Sequence, residues 1–154
     1  MKINLIWIGK NKFKFADKAV ELYLSRLKHY CKINVIQLKD VKSSSSSIQK
    51  ELEAKLFEKY LNTRSLTICL DEKGDGLTSK ELSTKIISFQ NRSIQNLNIM
   101  IGGAFGFHQT VLNKCNEKWS LSKMTLPHDL CRIVLTEQLY RAFTIIKNEK
   151  YHNP

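Results

Sequence analysis

No two cysteines in this chain stand in a C-x-x-C spacing. The four present, Cys31, Cys69, Cys115 and Cys131, are scattered, which argues against a structural zinc site and a disulfide framework. They read as small core residues of a reduced protein. No apolar run approaches the roughly 20 residues that a membrane span needs. The opening Met1-Lys2-Ile3-Asn4-Leu5-Ile6-Trp7-Ile8 is too short for a secretory core and lacks a small-residue cleavage site. It is expected to be a first strand, and the protein is expected to be cytoplasmic. No internal repeat is visible. No Gly-Lys-Ser or Gly-Lys-Thr is present, so there is no Walker A loop. Acidic residues are also scarce: 14 Asp and Glu face 25 Lys and Arg, a net charge of +11. Such a surplus favours a polyanionic partner, RNA or DNA before a membrane; the plain alternative is a solvated basic surface. No block of six like charges occurs, so the surplus belongs to the folded surface.

What is present is an alternation of strand and helix patterns in 154 residues, enough for one domain. Strands are predicted over Lys2–Ile8, Ile33–Leu38, Ser65–Leu70, Leu97–Ile101 and, shorter, Trp119–Leu121. Helices are predicted over Asp17–Tyr30, Ile48–Leu61 (with Leu52, Leu56 and Tyr60 on the apolar side), a segment from the Thr78/Glu81 capping box to Arg92, Gln109–Cys115, and Leu130–Lys147 opened by Pro127 and Asp129. The five serines Ser43–Ser47 read as a flexible loop, and Asp71–Gly76 as a turn. Alternating strands and helices imply a mainly parallel α/β sheet covered on both faces. Ligands of such sheets bind beyond the carboxyl ends of the strands.

Three loops leave predicted strand ends in the C-terminal half: Leu70-Asp71-Glu72, Gly102–Gly106 and Leu121–Pro127. The second, Ile101-Gly102-Gly103-Ala104-Phe105-Gly106, is G-G-x-x-G and comes too late in the chain for a dinucleotide fingerprint. Three glycines exceed what a plain turn needs, which suggests close approach of the backbone to a ligand. The third loop, Leu121-Ser122-Lys123-Met124-Thr125-Leu126-Pro127, mixes apolar walls with hydroxyls and free backbone groups. That suits a flat heterocycle better than phosphates, and S-adenosylmethionine better than NAD or ATP.

The segments "LDEKG", "IGGAFG", "WSLSKMTLPHDLCRIVLTEQLYRAFTI" and "NEKYH" resemble, in order and spacing, the RlmH family of SPOUT-class methyltransferases. The resemblance runs over the whole chain, with residues 119–145 its most specific part. It implies methylation of a pseudouridine of large-subunit ribosomal RNA at N3, on assembled ribosomes, by a homodimer. It also implies a C-terminal trefoil knot, which periodicity does not show. Carried over by position, the cofactor contacts fall on Leu70, on Gly102 with Gly103 beside it, and on Leu121, Ser122, Lys123, Met124, Thr125 and Leu126. S-adenosylmethionine is the implied methyl donor, and no metal is implied. Phe105, Asp129 and the Asn153-Pro154 ending depart from the family's pattern.

Methyl transfer from a sulfonium requires alignment of the nucleophile, and an imide N3–H must also lose its proton. Candidates for catalysis are His152, Tyr151, Arg132, Glu137 and His128, with Tyr140 and Arg141 beside them. Glu137 and Arg141 are i,i+4 and can simply pair; His128 can serve only to orient its loop; the tail can be a free end. Tyr151 offers a stacking face and His152 a ring nitrogen, with Arg132 or Arg141 nearest for phosphate. Two other readings stay open: another SPOUT RNA methyltransferase (ribose 2′-O or transfer RNA), or a non-catalytic RNA-binding protein, which would ignore S-adenosylmethionine.

Overall fold

The computed structural model describes residues 1–153, so Pro154 of the expected tail ending lies outside the described residues. Five strands, β1 (Lys2–Ile8), β2 (Lys32–Leu38), β3 (Leu66–Gly76), β4 (Asn96–Ile101) and β5 (Glu117–Ser120), form one sheet in the order β2-β1-β4-β3-β5. Every pairing is parallel. The helices are α1 (Lys14–Leu27), α2 (Ser46–Phe57), α3 (Ser79–Asn91), α4 (Gln109–Lys114) and α5 (His128–Ile146), with a 3₁₀ turn at Glu58–Tyr60. The α/β sheet expected from the alternation is the observed one.

Strand residues alternate between two cores. Ile3, Leu5, Trp7, Leu97, Ile99 and Ile101 join residues of α1, α3 and α5 on one face. Ile6, Ile8, Met100 and Cys69 join Phe57, Phe107 and Val111 on the other. Both faces are buried, so the central strands read as continuous apolar runs.

Four local expectations are corrected. Residues 71–76 are not a turn but the second half of β3, which shifts register against β5 between Leu70 and Asp75. A Cβ at Gly74 would lie 2.7 Å from the backbone of Lys118 and Trp119, so this glycine admits the close crossing of the two strands. Two of the five serines, Ser46 and Ser47, are helical, and Ser45 caps α2, accepting from the Ile48 N–H. The fully buried residues of α2 are Gln49, Glu53, Ala54 and Phe57; of the expected apolar side, Leu56 and Tyr60 pack half-buried against the same core, while Leu52 is 37% exposed. Both stripes have helical spacing; Phe57 fills the core, and the polar pair turns inward to a partner described below. Finally, α1 begins three residues before Asp17, because the Lys12 and Phe13 N–H groups donate to Asp129, a residue far along the chain.

Candidate active site

The sheet order makes β4, β3 and β5 neighbours. Leu70 pairs with Ile101 on one side and Trp119 on the other. The second and third loops picked from the sequence therefore leave the sheet on either side of Leu70, which lies within β3 rather than at its end. In the third loop Lys123, Met124 and Thr125 are exposed, Met124 at 76%, while Leu70, Leu121, Ser122 and Leu126 are half-buried. Its backbone is held internally: Met124 N–H donates to Ser122 Oγ at 2.9 Å, and Ser120 Oγ donates to the Ser122 carbonyl at 2.9 Å.

Each glycine of the second loop has a reason within the chain. A Cβ on Gly102 would meet the Gly106 carbonyl carbon at 3.1 Å and the Phe107 ring at 3.3 Å. A Cβ on Gly103 would fall on the Glu53 carboxylate. Gly106 has φ +75°, where side chains are strained. The glycines shape the turn itself, so their number is not by itself a mark of a ligand. Glu53 is the residue that sequence reasoning missed. It is buried, accepts from Gln49 Nε2 at 3.0 Å, and sits against the Gly103 N–H. Desolvation pushes its carboxyl pKa up, while Gln49 and the Gly103 N–H oppose that rise. No local signal in the sequence marks it, since its burial depends on Gly103 of a distant loop.

Four of the candidate polar groups come together where the tail meets α5. Arg141 donates through Nη2 to Glu137 Oε1 at 2.5 Å and through Nε at 3.0 Å, the i,i+4 pair foreseen. Tyr151 Oη donates to the same carboxylate oxygen at 3.1 Å. His152 Nδ1 lies 3.4 Å from Arg141 Nη1, and the Arg141 guanidinium stands 4.8 Å over the Tyr151 ring. The Tyr140 ring packs edge-on against Tyr151 at 4.7 Å. The tail returns because Asn148 adopts φ 60° beyond the helix end, and Tyr30 Oη donates to Glu149 Oε2 at 2.5 Å. It is thus tethered rather than free. Burial, with the Tyr23 hydroxyl and the Glu137 carboxylate nearby, raises the Tyr151 pKa well above its usual value. Tyr151 is a donor at neutral pH, not a base.

A cleft of about 600 Å³ lies between His152 of this cluster and Leu121 of the third loop. Residues 77–80 and Leu82, the end of β5 with Leu121, and Val134, Leu135 and Gln138 line it, and His152 closes one side. Of the residues carried over for cofactor, Leu121 borders this cleft; Leu70 lies within β3 and the others on the adjoining loops.

Arg132 and His128 stand apart from the cluster. Arg132 is 2% exposed. It donates to the Ile8 carbonyl at 2.6 Å and to Asn11 Oδ1 at 2.8 Å, and lies 5.0 Å over the Trp7 ring. Its burial corrects the expectation that it meets RNA phosphate. His128 opens α5 half-buried; burial and then Arg132 lower its pKa against a smaller opposing pull from Asp129. Asp129 does not cap its own helix. Its carboxylate accepts the Lys12 N–H at 2.9 Å and the Phe13 N–H at 2.9 Å, tying the β1–α1 loop to α5.

A parallel sheet covered on both faces, with two loops and a tethered tail near the carboxyl ends of adjoining strands, defines an α/β protein of the kind whose ligands bind at that edge. A family model described as a predicted SPOUT methyltransferase matches residues 1–152. The chain is similar to the ribosomal RNA large subunit methyltransferase H of Clostridium botulinum strain Hall, 41% identical over 158 residues covering 99% of each chain. It is also 39% identical to the protein of that name from Clostridium kluyveri, with the same coverage. The fold is similar to that of a probable methylase family protein from Haemophilus influenzae Rd KW20, with TM-score 0.61 and 14% identity, covering 99% of this chain and 70% of that one. The chain belongs to the SPOUT methyltransferase family.

Among the described residues no group of His, Cys, Asp and Glu is placed to hold a metal ion, and no helix is long and apolar enough to cross a membrane.

Proposed function

We propose that the protein transfers the methyl group of S-adenosylmethionine to N3 of a pseudouridine in large-subunit ribosomal RNA, within the ribosome. The observation that carries the reading is the juxtaposition of the loop at Leu121 with the tail at His152 across one cleft. Leu70, Gly102, Gly103 and the loop 121–126 would hold the cofactor, whose sulfonium would supply the methyl group. Glu53 stays outside that set; its carboxylate braces Gly103 from behind.

Tyr151 and His152 hold the target base. Arg141, fixed by Glu137, stabilises the imide anion left when N3 loses its proton, and His152 or solvent takes that proton. The Arg141 pKa is raised, chiefly by its bond to Glu137, so its charge is permanent. The trefoil knot belongs to the same reading. The return of the chain from edge strand β5 through 121–127 to a helix packed against α1 and α3 is consistent with it. A homodimer and a cytoplasmic location complete it.

The test uses purified protein, tritiated S-adenosylmethionine and ribosomes from a strain lacking the modification, with mass spectrometry of the RNA. N3-methylpseudouridine is the expected product. A ribose methyl group, or methylated transfer RNA, would replace this reading with another SPOUT activity; RNA binding without methyl transfer would make it a binding protein.

A further inference from the structure

The segment 9–18 is used by none of the steps above. Phe13 and Phe15 are 53% and 57% exposed. Their rings stack on each other, centroids 5.5 Å apart and planes 16° from parallel. Lys10, Lys12, Lys14 and Lys18 alternate with them, all exposed. The acidic residue of the segment, Asp17, accepts from Asn11 Nδ2 at 2.8 Å.

Two large rings held in water beside four cations are an expensive surface for a monomer to keep. The chain also holds them firmly. Asp129, 7% exposed, accepts both the Lys12 and Phe13 N–H groups. Arg132 grips Asn11 and the Ile8 carbonyl from the next turn of the same helix. Asp129 stands two residues after Pro127, the end of the cofactor loop. The platform is therefore at the active-site edge of the sheet.

We infer that Phe13 and Phe15, with Lys10, Lys12, Lys14 and Lys18, form an RNA-docking surface that stacks unpaired bases flanking the target. The inference rests on the RNA-methyltransferase reading. Aromatic faces take any base, and the lysines neutralise the phosphates between. The alternation of ring and cation favours RNA over a protein partner, for which the lysines would have to be desolvated.

Fluorescence anisotropy tests it with two labelled RNAs of equal length, a stem–loop with unpaired loop bases and a full duplex. Phe13→Ala/Phe15→Ala should weaken stem–loop binding by about 10-fold or more, from about 1–3 kcal/mol per stacked base, and leave duplex binding and calorimetric cofactor affinity unchanged. Substituting the four lysines by glutamine should weaken both RNAs and flatten the salt dependence. Stem–loop affinity and KM for ribosomes both equal to wild type in the Phe double variant would overturn the inference while leaving the methyltransferase reading intact. A change of sedimentation coefficient in that variant would overturn it too, by making the rings a contact between copies of this chain. Wild-type protein that binds neither RNA nor ribosomes would sink both readings.

Discussion

The pKa values of His128 and Arg141 shift in opposite directions. Burial holds His128 below its ordinary 6.5, so the folded chain binds that proton less tightly than the unfolded chain. Its contribution to stability is therefore full above 6.5 and falls as pH drops from 6.5 through the folded value. The urea midpoint should drop more between about pH 7.5 and 5.5 in the wild type than in His128→Asn; equal drops would show that the ring is solvated. Arg141 is fixed by two bonds to Glu137 and lies over Tyr151. Lysine keeps the charge but loses the fork and the flat face. Arg141→Lys should cut methyl transfer by up to about 100-fold, the scale of a misplaced reacting group. Calorimetric cofactor affinity should stay level. The identities of these residues were legible in the sequence; their grouping was not, because it depends on the tail turning back at Asn148.

At the scale of elements, the contact between α2 and the glycine turn decides local stability. Gly103→Ala places a methyl group on the Glu53 carboxylate, and overpacking of this kind costs about 1–3 kcal/mol. The double variant Gly103→Ala/Glu53→Ala should recover part of that loss in urea unfolding, because the two sites are coupled. Additive losses would mean that the turn does not rest on Glu53. Strand starts, the Thr78/Glu81 capping box, with both of its bonds present, and the last helix could be read from local pattern. The buried side of α2 could not. Its two stripes have the same spacing, and the choice between them was made by Phe57 in the core and by Gly103 on another loop.

For the whole molecule, the last helix and the tail bear on assembly. Leu135, Leu139, Ala142 and Phe143 face the sheet and Ile133 and Tyr140 pack half-buried against the same core, while Leu130 is 40% exposed and the half-buried Val134 borders the cleft. That remaining apolar surface suits a second copy of the chain. Removal of residues 151–154 should abolish transfer to ribosomes and leave sedimentation at micromolar concentration that of a dimer. Full methylation by the truncated protein would return the tail to a structural role, and a monomeric wild type would remove the dimer.

The sequence by itself determined the parallel α/β class, the start of every strand to within a few residues, and the loops that follow β4 and β5. These follow from periodicity and chain direction, which are local. Only the tertiary structure decided that Arg132 is buried, that Asp129 anchors a loop 116 residues away, and that β3 runs on past Leu70 against β5. Each of these depends on a partner distant in the chain. A charged side chain has the same local pattern whether it meets water or a buried backbone group, and only packing tells the two apart.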